Sequence, residues 1–239
     1  MFRGVAPGAT IYSVVAASRG NSNNAPVFLA SDLLAAYQAI VLAAPYTPGY
    51  NQPYTINLSI WSNATIYSTP CTSSVVPEYQ ATLIAYQKMK DAGIPIVTIT
   101  GNAGWKAGIA WPACAPNTIK VSSTKNDVIG NTLSSFANVV NPLNYPLEAL
   151  WLAPGGGDGT SITSAVPGAA GGQKMGTSMA APHVAGAYAL AKNVDPTVTV
   201  DGWNSWFKFN ASVPVNVQVS SFEQGPQTTV QWRRLRFPY

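Results

Sequence analysis

Gly176-Thr-Ser-Met-Ala-Ala-Pro-His-Val-Ala-Gly186 decides how the rest of the chain is read. Gly176 and Thr177 make a tight entry into an apolar, alanine-rich run that extends to about Lys192, the pattern of a helix start. Ser178 then falls at or beside the helix N-terminus. There, unpaired backbone N–H groups and the positive end of the helix dipole favour an oxygen that becomes negative. Pro182 is compatible with a first turn, where its missing N–H breaks no intrahelical bond. The small residues Ala180, Ala181, Ala185, Gly186, Ala187 and Ala189 let the helix pack closely on every side, so it is expected to be buried. Taken alone, Gly-Thr-Ser is also what an N-capping serine on a core helix looks like.

Outward from this helix, strand and helix patterns alternate. Strands are expected at Ala9–Val15, Tyr54–Ile60, Ile94–Thr100, Thr118–Ser122 and Leu147–Leu152, and a closing strand at Val230–Phe237. Helices are expected from about Ser31 to Ala44, buried and capped near Ser31, and from Pro77 to Ala92, with proline at its start and Gly93 at its stop. Such alternation implies an α/β protein with a mostly parallel sheet covered on both faces, its site loops at the carboxyl ends of the strands. Asn102 falls just past one such end. Beside Gly101 and Gly104 it also reads as a plain turn residue.

Composition bounds the function. A chain of 239 residues, 47% hydrophobic, can bury one large core, and no linker or repeat marks a second domain. Charged residues are only 9%, which suits a loop-rich exported protein better than a cytosolic one. The net charge of +4 is scattered apart from Arg233, Arg234 and Arg236, so no nucleic-acid stripe is visible; that cluster reads as a solvated strand edge. Val27–Ala44 is nearly apolar, but Ser31, Asp32 and Gln38 interrupt it and Pro45 ends it, so no membrane span is expected. The start of the chain has the charge and apolar pattern of a secretion leader, but Pro7 and Gly8 break it. Cys71 and Cys114 are too few for a structural zinc site; they are either two buried thiols or a disulfide, and the lean toward export favours the disulfide.

The segment around Ser178 closely resembles the nucleophile segment of the subtilisin-like serine proteases, the subtilases. Further resemblances follow in that family's order: Gly4-Val-Ala-Pro7 leading into a strand, Ile56-Asn-Leu-Ser59, Thr100-Gly-Asn-Ala-Gly104, Ser135-Phe-Ala-Asn138 more loosely, and Ala153-Pro-Gly155. The likeness spans residues 4–192, with 193–239 completing the same domain. It implies the three-layer subtilisin-like α/β fold, a mostly parallel central sheet flanked by helices, its N-terminal part missing. It also implies a secreted endopeptidase acting on protein or peptide substrates. By the same resemblance Ser178 is the nucleophile and Asn102 the oxyanion-hole amide, while Ser59, Ile60, Trp61, Thr100 and Gly101 line the substrate cleft. No cofactor is called for; the family allows calcium, but no acidic loop cluster in this sequence supports it.

Two departures qualify the activity. The family carries its catalytic Asp and His upstream of the Gly-Val-Ala-Pro segment, where this sequence begins, and the only histidine is His183. Five residues along a helix place His183 about 140° and about 7.5 Å from Ser178, so it cannot act as the base. Lys174 is close in sequence but would need to be desolvated and within hydrogen-bond reach. The chain alone is therefore expected to be inactive, a fragment whose partner includes the missing segment of its own domain. The second departure is Trp61, where the family usually has a small residue; the indole either narrows the pocket, stacks on a substrate ring or turns into the core. The alternative reading is a non-catalytic, protease-like binding or scaffold protein.

Overall fold

Ile96, Val97, Thr98 and Ile99 form a strand without a polar face, all four buried. Such a run belongs inside a parallel sheet covered on both sides. The computed structural model describes residues 3–19, 26–43, 55–62, 65–127, 131–146, 149–222 and 225–236. In chain order, β1 (Ser18–Arg19) and β2 (Pro26–Val27) make a small antiparallel pair, followed by α1 (Ala30–Ala43) and β3 (Ile56–Leu58). β4 (Ile66–Tyr67) precedes α2 (Gln80–Asp91), β5 (Ile96–Ile99) and β6 (Ile109–Ala110), and β4 pairs with β6. Next come β7 (Ile119–Thr124), β8 (Ala149–Pro154) and the hairpin of β9 (Ile162–Val166) with β10 (Ala169–Lys174). α3 (Thr177–Val194), α4 (Val200–Asn210), β11 (Ser212–Ser220) and β12 (Gln227–Leu235) complete the order.

The main sheet runs β11-β12-β8-β7-β5-β3, parallel throughout except for the antiparallel pair at the β11 end. Alternation along its strands sorts side chains onto two cores. Ile96 and Leu152 face the layer of α1 and α2, with Tyr37, Tyr86 and Met89. Val97, Ile99, Trp151 and Ala153 face α3 and α4, with Val184, Tyr188, Trp203 and Phe207. The three-layer α/β expectation holds. Cys71 and Cys114 are a disulfide, both fully buried, with their Cα atoms 5.3 Å apart.

Several local expectations are corrected. Residues 9–15 form no strand: Ile11 and Val15 are each 89% exposed. An apolar alternating run becomes a strand only beside a partner strand, and among the described residues β3 is the last strand at this end of the sheet. The first helix is not buried. It is a surface helix with Leu33 and Tyr37 turned inward, and it starts at Ala30, so Ser31 lies within it and does not cap it. α3 is buried on one broad side but exposes Pro182, Leu190 and Val194. The arginine cluster is not on a strand edge, because β12 is paired on both sides; Arg233 donates to Lys208 O and Arg234 to Asn131 Oδ1. The expected element ends at Ala44, Tyr54, Leu147 and Phe237 lie outside the described residues. The helix over Pro77–Ala92 forms as a 3-10 turn at Pro77–Tyr79 continuing into α2.

Candidate active site

Three chain segments meet at the start of α3. The first is the helix itself: Gly176 is its N-cap and offers no side-chain cap, Thr177 is its first residue and Ser178 its second. Ser178 is therefore not a capping serine. Gly155, just beyond β8, anchors the helix entry, since Gly176 N–H donates to Gly155 O at 2.9 Å. Any side chain at Gly155 would collide with that backbone, its Cβ only 2.6 Å from Gly176 O. The absent side chain lets strand end and helix start touch, which is the physical content of the Ala-Pro-Gly match.

The second segment is the loop after β5. Asn102 turns its side chain to the helix, where Oδ1 accepts from Thr177 N–H and from Thr177 Oγ1, each at 2.8 Å. This settles which end of the amide faces the helix and leaves Nδ2 directed away from Thr177. Ser178 N–H, in the first turn, has no intrahelical acceptor. Asn102 Nδ2 and Ser178 N–H both lie beside Gly176, each 3.7 Å from where its Cβ would be, at the positive end of the helix. Thr177, which orients Asn102, was missed in the sequence; the signal was a hydroxyl at the first helical position beside a presumed oxyanion loop.

The third segment follows β3. Ser59 Oγ donates to Ser178 O at 3.2 Å, and Ser178 Oγ donates to Ser59 O at 3.4 Å. Pro182 explains the first bond. It is the sixth residue of α3, not part of the first turn, and its missing N–H leaves Ser178 O without the helical donor it would otherwise have. Beyond Ser59 the chain alternates: Ile60 packs into the α1/α2 core, and Trp61 packs toward the α3/α4 core. Trp61 lies over Gly101 and edge-on to Trp105, with ring centroids 6.0 Å apart. Of the three fates open to Trp61, the indole thus takes a half-buried place against the Asn102 loop. Thr100 and Gly101 are buried, and their carbonyls accept from Ala110 N–H and Asn138 Nδ2 and from Asn138 N–H respectively.

His183 and Lys174 stand apart from this arrangement. His183 Nδ1 lies 2.8 Å from Met179 O on its own helix, and burial pushes its pKa below the ordinary 6.5, outweighing that hydrogen bond. Lys174 is exposed at the end of β10. Among the described residues no cluster of His, Cys, Asp or Glu is built to hold a metal ion, and no helix is long and apolar enough to cross a membrane. Asn138, named in the sequence only as part of a loose motif match, is fully buried behind the Asn102 loop and accepts from Ala103 N–H and Trp105 N–H, each at 3.0 Å.

Fold and site define a class: a three-layer α/β protein with a serine in the first turn of a helix buried on one broad side and an asparagine side chain bound at that helix's N-terminus. The profile of the Subtilase family matches residues 1–225, and the chain belongs to that family. Subtilisin NAT of Bacillus subtilis subsp. natto is 36% identical over 115 residues, 47% of this chain and 27% of the relative. Subtilisin BL of Lederbergia lenta is 29% identical over 194 residues, 81% of this chain and 57% of the relative. The chain thus spans well under two thirds of these relatives. In fold it is similar to a cold adapted subtilisin-like serine proteinase, at TM-score 0.54 and 22% identity, covering 89% of this chain and 63% of that one. It is likewise similar to the prenylagaramide maturation protease PagA, at TM-score 0.57 and 20% identity, covering 81% of this chain and 61% of that one.

Proposed function

We propose that these residues are the nucleophile- and oxyanion-bearing part of a secreted serine endopeptidase. The observation that carries the reading is Asn102, whose Oδ1 is bound at the helix N-terminus so that Nδ2 and Ser178 N–H serve as a pair of donors. Ser178 Oγ attacks the scissile carbonyl, the C–N bond breaks after the tetrahedral intermediate, and the two donors hold its oxyanion. In subtilisin one such amide donor is worth roughly 3 to 4 kcal/mol. Ser59 and the residues after it offer backbone to an extended peptide. The disulfide suits an oxidising compartment.

The one histidine of the 239 residues is engaged with its own helix, which supports reading the proton acceptor as supplied from elsewhere. By the family resemblance an Asp-bearing strand and a His-bearing segment would complete the site, and among the described residues β3 has a partner strand on one side only. A fluorophosphonate probe tests this, because labelling forms an O–P bond at Ser178, expels fluoride and needs a base for the hydroxyl proton. The chain alone is expected to stay unlabelled, and the chain co-expressed with such segments to be labelled at Ser178. Prompt stoichiometric labelling of the chain alone overturns the absence of the base. No labelling after complementation favours the non-catalytic scaffold.

A further inference from the structure

We propose that Asn138 is the positioning residue that sets Asn102 against the N-terminus of α3. The inference rests on reading Asn102 as the oxyanion donor, but its first consequence is structural and can be measured without catalysis. Asn138 brackets residue 102 without touching it. Its Oδ1 accepts from Ala103 N–H and Trp105 N–H, its Nδ2 donates to Thr100 O at 3.0 Å, and its backbone N–H donates to Gly101 O at 3.1 Å. The backbone of residues 100, 101, 103 and 105 is thereby held on both sides of Asn102.

Asn138 is itself fixed. It is fully buried, and its carbonyl accepts from Ser122 Oγ on β7 at 2.8 Å. The fit to Gly101 is close enough that a Cβ there would lie 2.3 Å from Asn138 Nδ2. A carboxamide accepts two N–H bonds and donates to a carbonyl from one short planar group; ionised aspartate keeps the acceptors and loses the donor, and alanine loses both. With its neighbours held, the Asn102 side chain has one place to go, the Thr177 N–H and hydroxyl. The chain of support runs from β7 through Asn138 to the loop, and from the loop through Asn102 to the nucleophile helix.

The test is amide hydrogen exchange at Thr177, which reports the Asn102 bond and lies on an element Asn138 does not hydrogen-bond. Asn138→Ala is expected to speed exchange at Thr177 by about tenfold or more, as Asn102→Ala does, while Val184 to Tyr188 in the same helix stay protected. Asn138→Asp, which keeps two of the bonds, is expected to fall between and decides the matter if the alanine variant fails to fold. In the Asn102→Ala background neither change should alter Thr177 further. Unchanged Thr177 exchange in a folded Asn138→Asp or Asn138→Ala chain overturns the proposal.

In the complemented enzyme, Asn138→Ala should lower kcat by about 100-fold with little change in KM. If Asn102→Ala keeps full kcat there, the oxyanion reading fails, while the exchange result still decides the role of Asn138.

Discussion

Ser59 and Ser178 exchange hydrogen bonds across the gap between the end of β3 and the start of α3, hydroxyl to carbonyl in each direction. The bond to Ser178 O exists because Pro182 withholds the N–H that would otherwise reach that carbonyl. The edge strand of the sheet and the nucleophile helix are thus tied together at the reacting residue. Ser59→Ala should cost about 1 kcal/mol, the usual net worth of such a bond. In a Pro182→Ala background, where a helical N–H can replace the Ser59 hydroxyl, the same substitution should cost close to nothing. Denaturant midpoints of the four chains give the coupling, and additive costs would remove the link between Pro182 and Ser59.

Gly101 is pinned between Asn138 and Trp61. At φ +108°, it holds a conformation that other residues adopt only under strain, and an added Cβ would lie 2.3 Å from Asn138 Nδ2 and 2.8 Å from Trp61 Cε3. Backbone strain and overpacking together predict that Gly101→Ala destabilises the chain by about 3 kcal/mol or more. Displacement of the indole should shift the tryptophan emission of the folded variant. Wild-type stability in Gly101→Ala would show that the loop yields easily and is no rigid carrier for Asn102.

Sequence legibility divides along a physical line. The helix at Ser178, the strand Ile96–Ile99 and the helix stopped before Gly93 are readable because their signals are local: a helix entry, an apolar run, a proline start and a glycine stop. Residues 9–15 misled because alternation describes what a strand would bury, not whether a neighbour exists to pair with it. Asn102 was found through a motif. Its partner Thr177 and its support Asn138 are defined by contacts across 75 and 33 to 38 residues of chain, which no spacing rule reports.

The disulfide closes a loop over a sequence separation of 43 residues and joins the turn before α2 to the turn after β6. Chain entropy alone assigns it roughly 4 kcal/mol. Cys71→Ala with Cys114→Ala should lower stability by about 2 to 4 kcal/mol, and adding reductant to the double variant should change nothing further. Both positions are fully buried and belong to the core that holds Tyr86 and Trp111, so the loss is expected to reach the α1/α2 layer first. Reduction of the wild type that leaves its melting curve unmoved would contradict this.

His183 makes acid stability a test of its structural role. Burial holds its folded pKa below 6.5, the bond to Met179 O opposing this only in part. A lowered folded pKa means that the unfolded chain takes up the proton first. Stability is then full above about pH 6.5 and falls as the pH drops through that value toward the folded pKa. Asp158, held down by Ser135 and then Lys125, and Asp195, held down by Thr197, act only near and below 3.8 and do not confuse the window. Urea midpoints of the wild type should therefore decline as the pH is lowered through about 6.5, while His183→Gln, which can still donate to Met179 O, should lose most of that decline. Parallel curves for the two chains would mean that His183 titrates no differently when folded and would overturn its part in acid stability.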